Sequence, residues 1–274
     1  MSECRNKFFI YNGEVKEVKE FDDLYPKSKK LLYEVIRVID KTPLFLREHF
    51  ERLDNSIALA NITVNFSEKH MRESILKLIQ ENSVEDGNVK LILDEENTLV
   101  YSVKHSYPTK EMYENGVKTL LYFGERENPN AKIINKTFRE EIDKILKESH
   151  CYEAILVNKE GYITEGSRSN IFMVKGSKVY TAPLETVLPG VTRKLIIKAC
   201  EVTGLQVLEE SVNHEEIKNL DALFISGTSP KVLPISEVEN MRFSSSSNQT
   251  IKRIMMEFDK IIGEDLMKFK TTYL

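Results

Sequence analysis

The chain has 274 residues, 41% of them hydrophobic, enough to bury a substantial core as one large domain or two modest ones, and we expect two. Its 39 Lys and Arg against 43 Asp and Glu leave a formal charge of −4, with pI near 5.9, so no net positive field draws in a phosphate backbone and nucleic acid is not an expected partner. Three scattered cysteines without a C-x-x-C pair argue against a disulfide framework and suit a reducing cytoplasm, a charged amino terminus lacks a signal-peptide core, and no apolar run reaches the roughly 18 residues of a membrane span.

In chain order, FFIYNGEVKEV reads as strand, Asn12-Gly13 turn and strand, because Asn-Gly tolerates the positive φ angles of a tight hairpin. LLYEVIRVID (31–40) is rich in β-branched and apolar residues and stops at a turn. Helical spacing of Phe50, Leu53 and Ile57 predicts a helix from Arg47 to about Ala60, and a second is expected from Ser67 to Gln80. NVKLILD and TLVYSVK form a hairpin around Glu95-Glu96-Asn97. The polar stretch 106–116, with Pro108 and Gly116, reads as a linker, placing an N-terminal α+β domain over 1–107, the linker at 108–116 and a C-terminal α/β domain over 117–274.

Beyond the strand VKTLLYF, Thr137 and Glu140 have capping-box spacing, which predicts a helix starting there and running to about Glu148. Strands EAILVN and NIFMVKGSKVYTA follow, then a helix from about Val191 to Thr203 closed by Gly204. LQVLEES and DALFIS are strands around a short helix capped by Asn213 and Glu216, SSSSNQ (244–249) is a flexible surface loop, and an amphipathic helix runs from Ile251 to about Met267. Hairpins mixed with helices give an α+β class rather than a doubly wound sheet.

Three segments of the second half, TEGSRSN, LPGVTRK and ISGTSP, are strand ends or helix starts rich in Gly, Ser and Thr. Such segments present backbone N–H groups and hydroxyls suited to an anion, most of all LPGVTRK, where a helix follows Pro189-Gly190; each also reads as an ordinary turn. No P-loop or dinucleotide fingerprint is present, and the five histidines show no metal-ligand spacing, so no metal is expected.

Taken together, YEVIRVID…FLREHFERLDNSI, NPNAKIIN, CYEAILVNKEGYITEGSRSNIF, VLPGVTRKL and LFISGTSPKVLPI resemble, in order, the motifs of the class IV, fold-type IV pyridoxal-phosphate enzymes, a family that includes branched-chain and D-amino-acid aminotransferases and aminodeoxychorismate lyase. The resemblance spans about Tyr33 to Pro234 and implies a two-domain, homodimeric fold with pyridoxal 5'-phosphate (PLP) as cofactor. It implies Lys132 as the Schiff-base lysine and proton shuttle, supported by Asn135 in the family's K-x-x-N arrangement, with Lys136 as the competitor. Glu165 becomes the partner that keeps the pyridine nitrogen protonated, so that the ring can store the electrons of deprotonation. Arg52 becomes the phosphate arginine, against the alternative of a surface pair with Glu48, and Val191, Thr192, Gly227 and Thr228 complete a phosphate cradle. Tyr33 would line the substrate site.

Two departures bear on substrate. The glycine-rich entry to the first motif is replaced by KSKKLLYE, and Asp94 and Glu95 stand where D-amino-acid aminotransferases carry a carboxylate-binding Arg-Gly segment, which weakens that reading and leaves Arg37 and Arg168 as candidate substrate cations. The expectation is a cytoplasmic, homodimeric transaminase moving an amino group between an amino acid, branched-chain-like, and a 2-oxo acid. The alternatives are an aminodeoxychorismate lyase releasing pyruvate and 4-aminobenzoate, and a PLP-binding protein without turnover.

Overall fold

A computed structural model describes residues 3–28, 30–64, 67–126 and 129–273, the side chain of Lys136 excepted. It divides into two compact units: Met1–Ser106 with Ala131–Ile134 and Ile262–Leu274, and Tyr107–Asn130 with Asn135–Ile261.

In the first unit, β1 (Phe8–Tyr11) and β2 (Glu14–Glu17) turn through Asn12 at φ 49° and Gly13 at φ 82°, the left-handed pair that a two-residue hairpin requires. After a single helical turn, α1 (Phe21–Leu24), come β3 (Leu32–Ile39) and the short β4 (Thr42–Pro43). Helices α2 (Leu46–Ala60) and α3 (Glu68–Glu81) follow, then β5 (Gly87–Leu93) and β6 (Thr98–Val103). The sheet runs β2-β1-β6-β5-β3-β4 with antiparallel neighbours. Strand β3 alternates strictly, so Leu32, Glu34, Ile36 and Val38 point one way and Tyr33, Val35 and Arg37 the other. On the first face Ile36, Val89 and Leu91 pack with Phe50, Leu53, Ile75 and Leu78 of the two helices. Phe9, Phe21, Ile92, Leu99 and Tyr101 form a second cluster, with edge-to-face contacts of Phe21 to Phe9 and to Tyr101.

The second unit opens with α4 (Lys110–Asn115), β7 (Val117–Phe123), α5 (Lys136–Ser149) and β8 (Glu153–Val157). Strands β9 (Tyr162–Gly166), β10 (Asn170–Lys175) and β11 (Lys178–Thr181) lead to α6 (Val191–Val202). Strands β12 (Gln206–Glu209), β13 (Val212–Asn213), β14 (Ala222–Gly227), β15 (Lys231–Val238) and β16 (Met241–Arg242) precede α7 (Gln249–Tyr273), whose residues from Ile262 onward belong to the first unit. The path β10-β14-β15-β7-β8-β9 returns to β10 through the pair Asn170 and Glu165, so six strands close into a ring. Ile155, Ile163, Ile171, Leu223, Leu233 and Ile235 form one core cluster of this sheet, and Ala154 and Leu156, on the opposite face of β8, pack against Ile142 and Leu146 of α5.

Several local expectations are corrected. Helix α5 is capped by Asn135, whose side chain accepts from the Phe138 N–H, and not by a Thr137 capping box; an Asx cap two residues upstream satisfies the same kind of exposed donor. The 108–116 stretch, expected as a linker, contains α4, capped by Thr109. In the serine tract, Ser245 is fully buried and accepts from the Leu223 N–H, which ties down what composition marked as a flexible loop. The last helix starts two residues earlier and ends six later than periodicity indicated. Ala131–Ile134, expected in the C-terminal domain, belongs to the first unit because it bonds to β3: Tyr33 N–H to the Lys132 carbonyl at 3.1 Å, and Ile134 N–H to the Leu31 carbonyl at 3.1 Å.

Candidate active site

Lys132 is fixed by its backbone. Besides the bond to Tyr33, its N–H donates to Ser56 Oγ (3.3 Å), and the Ser56 hydroxyl donates to the Arg52 carbonyl one turn earlier in α2 (3.0 Å). This places Lys132 Nζ 4.6 Å from the centroid of the Tyr33 ring, a cation–π contact that steadies the side chain.

Behind this segment lies a buried charged cluster. Arg52 donates from Nε to Glu34 Oε1 (2.8 Å) and from Nη2 to Glu34 Oε2 (2.5 Å), and His49 Nδ1 meets Glu34 Oε2 at 2.7 Å. Burial opposes ionisation of Glu34, but the Arg52 charge and the hydrogen bonds from His49 and Arg52 outweigh it and hold the carboxyl near about 2. Burial lowers the His49 pKa against the pull of Glu34, and Nδ1 is the ring nitrogen that faces the carboxylate. Arg52 is therefore a buried group gripped by Glu34, not the partner of Glu48, and Nη1 takes no part in the grip.

In the second unit Glu165 sits on β9 at the ring-closing pair with Asn170 and is 4% exposed. Its Oε1 accepts from Arg126 Nε (2.8 Å) and its Oε2 from the Leu188 N–H (3.0 Å), while Arg126 Nη2 also donates to the Pro129 carbonyl. Asn170 Nδ2 donates back to the Leu188 carbonyl at 3.0 Å, so Leu188 is held through both its N–H and its carbonyl. That segment leads into α6, whose N-cap is Gly190 and which no side chain caps. A Cβ on Gly190 would lie 2.1 Å from Asn170 Oδ1, so only glycine lets the helix start come this close. Val191 and Thr192, at the first turn, are buried. Gly227 and Thr228 follow Ser226, which is fully buried with an Oγ that has no hydrogen-bond partner.

These features fit PLP. An uncapped N-terminus on a 12-residue helix and an orphaned buried hydroxyl suit a phosphate dianion, and a buried carboxylate suits a protonated ring nitrogen. Of the remaining sequence candidates, Arg168 is exposed and paired with Asp143 of α5, which places it in a surface ion pair. Arg37 is half-buried on the Tyr33 face of β3. Asp94 closes its own turn by accepting from the N–H groups of Glu96 and Asn97. The side chain of the competitor Lys136 lies outside the described residues.

Sequence reasoning missed Glu34, His49, Arg126 and Glu153. For Glu34 and Glu153 a signal existed, an acid at an inward-facing position of an otherwise apolar strand; Arg126 stands in an irregular segment with no periodicity to mark it.

A family model for amino-transferase class IV matches residues 31–238, and the chain belongs to that family of PLP-dependent enzymes. Among curated relatives it is 28% identical over 258 residues to a D-alanine aminotransferase of Bacillus licheniformis, covering 87% of this chain and 90% of that one. It is 24% identical over 249 residues to an aminodeoxychorismate lyase of Bacillus subtilis, covering 84% and 85%. Among solved structures, a branched-chain amino acid aminotransferase of Escherichia coli superposes with a TM-score of 0.83 at 22% identity, over 94% of this chain and 95% of that one, a likeness of fold.

Proposed function

We propose that the protein is a transaminase that moves the amino group of a branched-chain-like amino acid to a 2-oxo acid, with Lys132 as the Schiff-base lysine. The observation that carries this reading is the placement of Lys132, with its backbone bonded to β3 and α2 and its ammonium on the Tyr33 ring. When bound, PLP supplies an aldehyde that takes up an amine and a ring that stores an electron pair.

The chain's own groups do the rest. Lys132 Nζ would hold the cofactor and, once freed, would move the Cα proton. Glu165, buried and held by Arg126 and the Leu188 N–H, would keep the proton on the ring nitrogen. Arg52 Nη1, the N–H groups of Val191 and Thr192, and Gly227 with Thr228 bind the phosphate. Tyr33 borders the substrate, and Arg37, on the same face of β3, is the cation retained for its carboxylate; Arg168, committed to Asp143, is not. The branched-chain-like preference is supported by the Asp94 turn, which has no cation for a D-amino acid's carboxylate. The family's homodimer is part of the reading, and sedimentation velocity checks it.

The test is to incubate the protein with PLP, reduce with borohydride, digest and sequence the phosphopyridoxyl peptide. A label on Lys132, lost in Lys132→Ala, supports the reading, and a label on Lys136 refutes it. The aminodeoxychorismate lyase relative makes elimination the second reading. Pyridoxamine phosphate accumulating when an amino acid is added without a 2-oxo acid marks transamination, and its absence with pyruvate released from aminodeoxychorismate marks the lyase.

A further inference from the structure

The Glu165 carboxylate is aimed by a turn, and that turn rests on a second carboxylate. Glu153, the first residue of β8, is 3% exposed, at the head of a strand whose next four residues are fully buried and apolar. Four donors converge on it. Oε1 accepts from the Ala154 N–H (2.9 Å) and Ser167 Oγ (2.5 Å), and Oε2 from the Arg168 N–H (3.3 Å) and Ser169 Oγ (2.9 Å). Three of the four come from the 167–169 turn that joins Glu165 to its ring-closing partner Asn170. The turn sits on the carboxylate without spare room: a Cβ on Gly166 would lie 2.1 Å from Ser169 Oγ and 3.2 Å from Glu153 Cδ. Its two ends act on one loop, since Asn170 holds the Leu188 carbonyl while the Leu188 N–H donates to Glu165.

A turn rich in Gly and Ser closes without an acid, and a carboxylate at a dry strand end opposes its own burial, which pushes the Glu153 pKa up against the four hydrogen bonds. Fold stability alone does not call for this group.

We propose that Glu153 is a positioning residue for Glu165: its carboxylate gathers Ser167, Arg168 and Ser169 into one turn geometry and thereby sets the direction of the Glu165 carboxylate and of the Leu188 loop. This rests on the reading that Glu165 meets the pyridine nitrogen. The role demands an acceptor at both oxygens. In Glu153→Gln either orientation of the amide turns its NH2 toward a backbone donor, Ala154 or Arg168, so the variant keeps shape and loses the clamp.

The experiment compares the wild type, E153Q, the double variant S167A/S169A and E165Q. The expected E153Q protein is folded, melting within about 4 °C of the wild type because removing a buried charge offsets the lost hydrogen bonds. In its cofactor-free form the amides of residues 166–169 and of Leu188 exchange faster. It binds PLP about tenfold more weakly, a loss of the size expected for one charge-assisted hydrogen bond, and the pH midpoint of the bound cofactor's absorbance moves. S167A/S169A moves the same observables in the same direction, and if E153Q does not fold it decides the question.

Wild-type exchange, affinity and absorbance midpoint in E153Q overturn the proposal, and so does a general loss of stability in both variants. E165Q separates the two readings. If E165Q leaves the cofactor's absorbance and affinity unchanged, the ring-nitrogen role fails and the positioning role falls with it; if E165Q shifts them and E153Q does not, only the positioning role falls.

Discussion

Replacing Glu34 by glutamine removes the one carboxylate that both Arg52 and His49 contact. The carboxyl lies near about 2 in the fold against 4.5 for an ordinary glutamate, which corresponds to about 3 kcal/mol of stability at neutral pH. Because the folded value is depressed, that contribution is complete above the unfolded value and drains away as pH falls from about 4.5 toward about 2. The substitution also strands the Arg52 guanidinium, only 7% exposed, and breaking a buried pair from one side costs about 3–5 kcal/mol. Urea unfolding of cofactor-free protein should therefore show E34Q less stable by about 3 kcal/mol at pH 7, with the gap closing as pH approaches 2. Adding Arg52→Met should restore most of the loss, since no charge is then left buried alone. A gap below about 1 kcal/mol at pH 7, or one that stays constant with pH, refutes the assignment of Glu34 as the ionised anchor of Arg52.

Gly190→Ala drives a methyl onto Asn170 Oδ1 and displaces the start of α6, so PLP affinity should fall about tenfold or more in a fluorescence titration while the far-UV spectrum is unchanged. Asn135→Ala should cost about 1 kcal/mol in chemical denaturation and Thr137→Ala much less, because Asn135 holds the cap of α5. Arg168→Ala, which removes the solvated pair with Asp143, should leave stability within about 0.5 kcal/mol and the steady-state transamination rate unchanged; a large rise in KM would return Arg168 to the substrate site.

Much of the architecture was legible because it is local. The Asn12-Gly13 hairpin needs only two residues that accept positive φ, and the apolar spacing of α2 and α6 follows from 3.6 residues per turn. The candidate site comes from ordered motifs resembling a family, which single out Lys132, Arg52 and Glu165 among many similar side chains for the tests above. Partnership was not legible. Arg52 is three residues from His49 but eighteen from Glu34, and only the pleat of β3 against α2 decides that its counterion is Glu34 and not Glu48. Asn135 and Thr137 compete for one helix start, and the path of the backbone from Ile134 chooses between them. Glu153 and Glu165 are ordinary glutamates in the sequence. The closure of β9 onto β10 buries both and wraps the 166–169 turn around one of them, because a carboxylate's role depends on which donors reach it, and those donors are brought by the chain's long-range path.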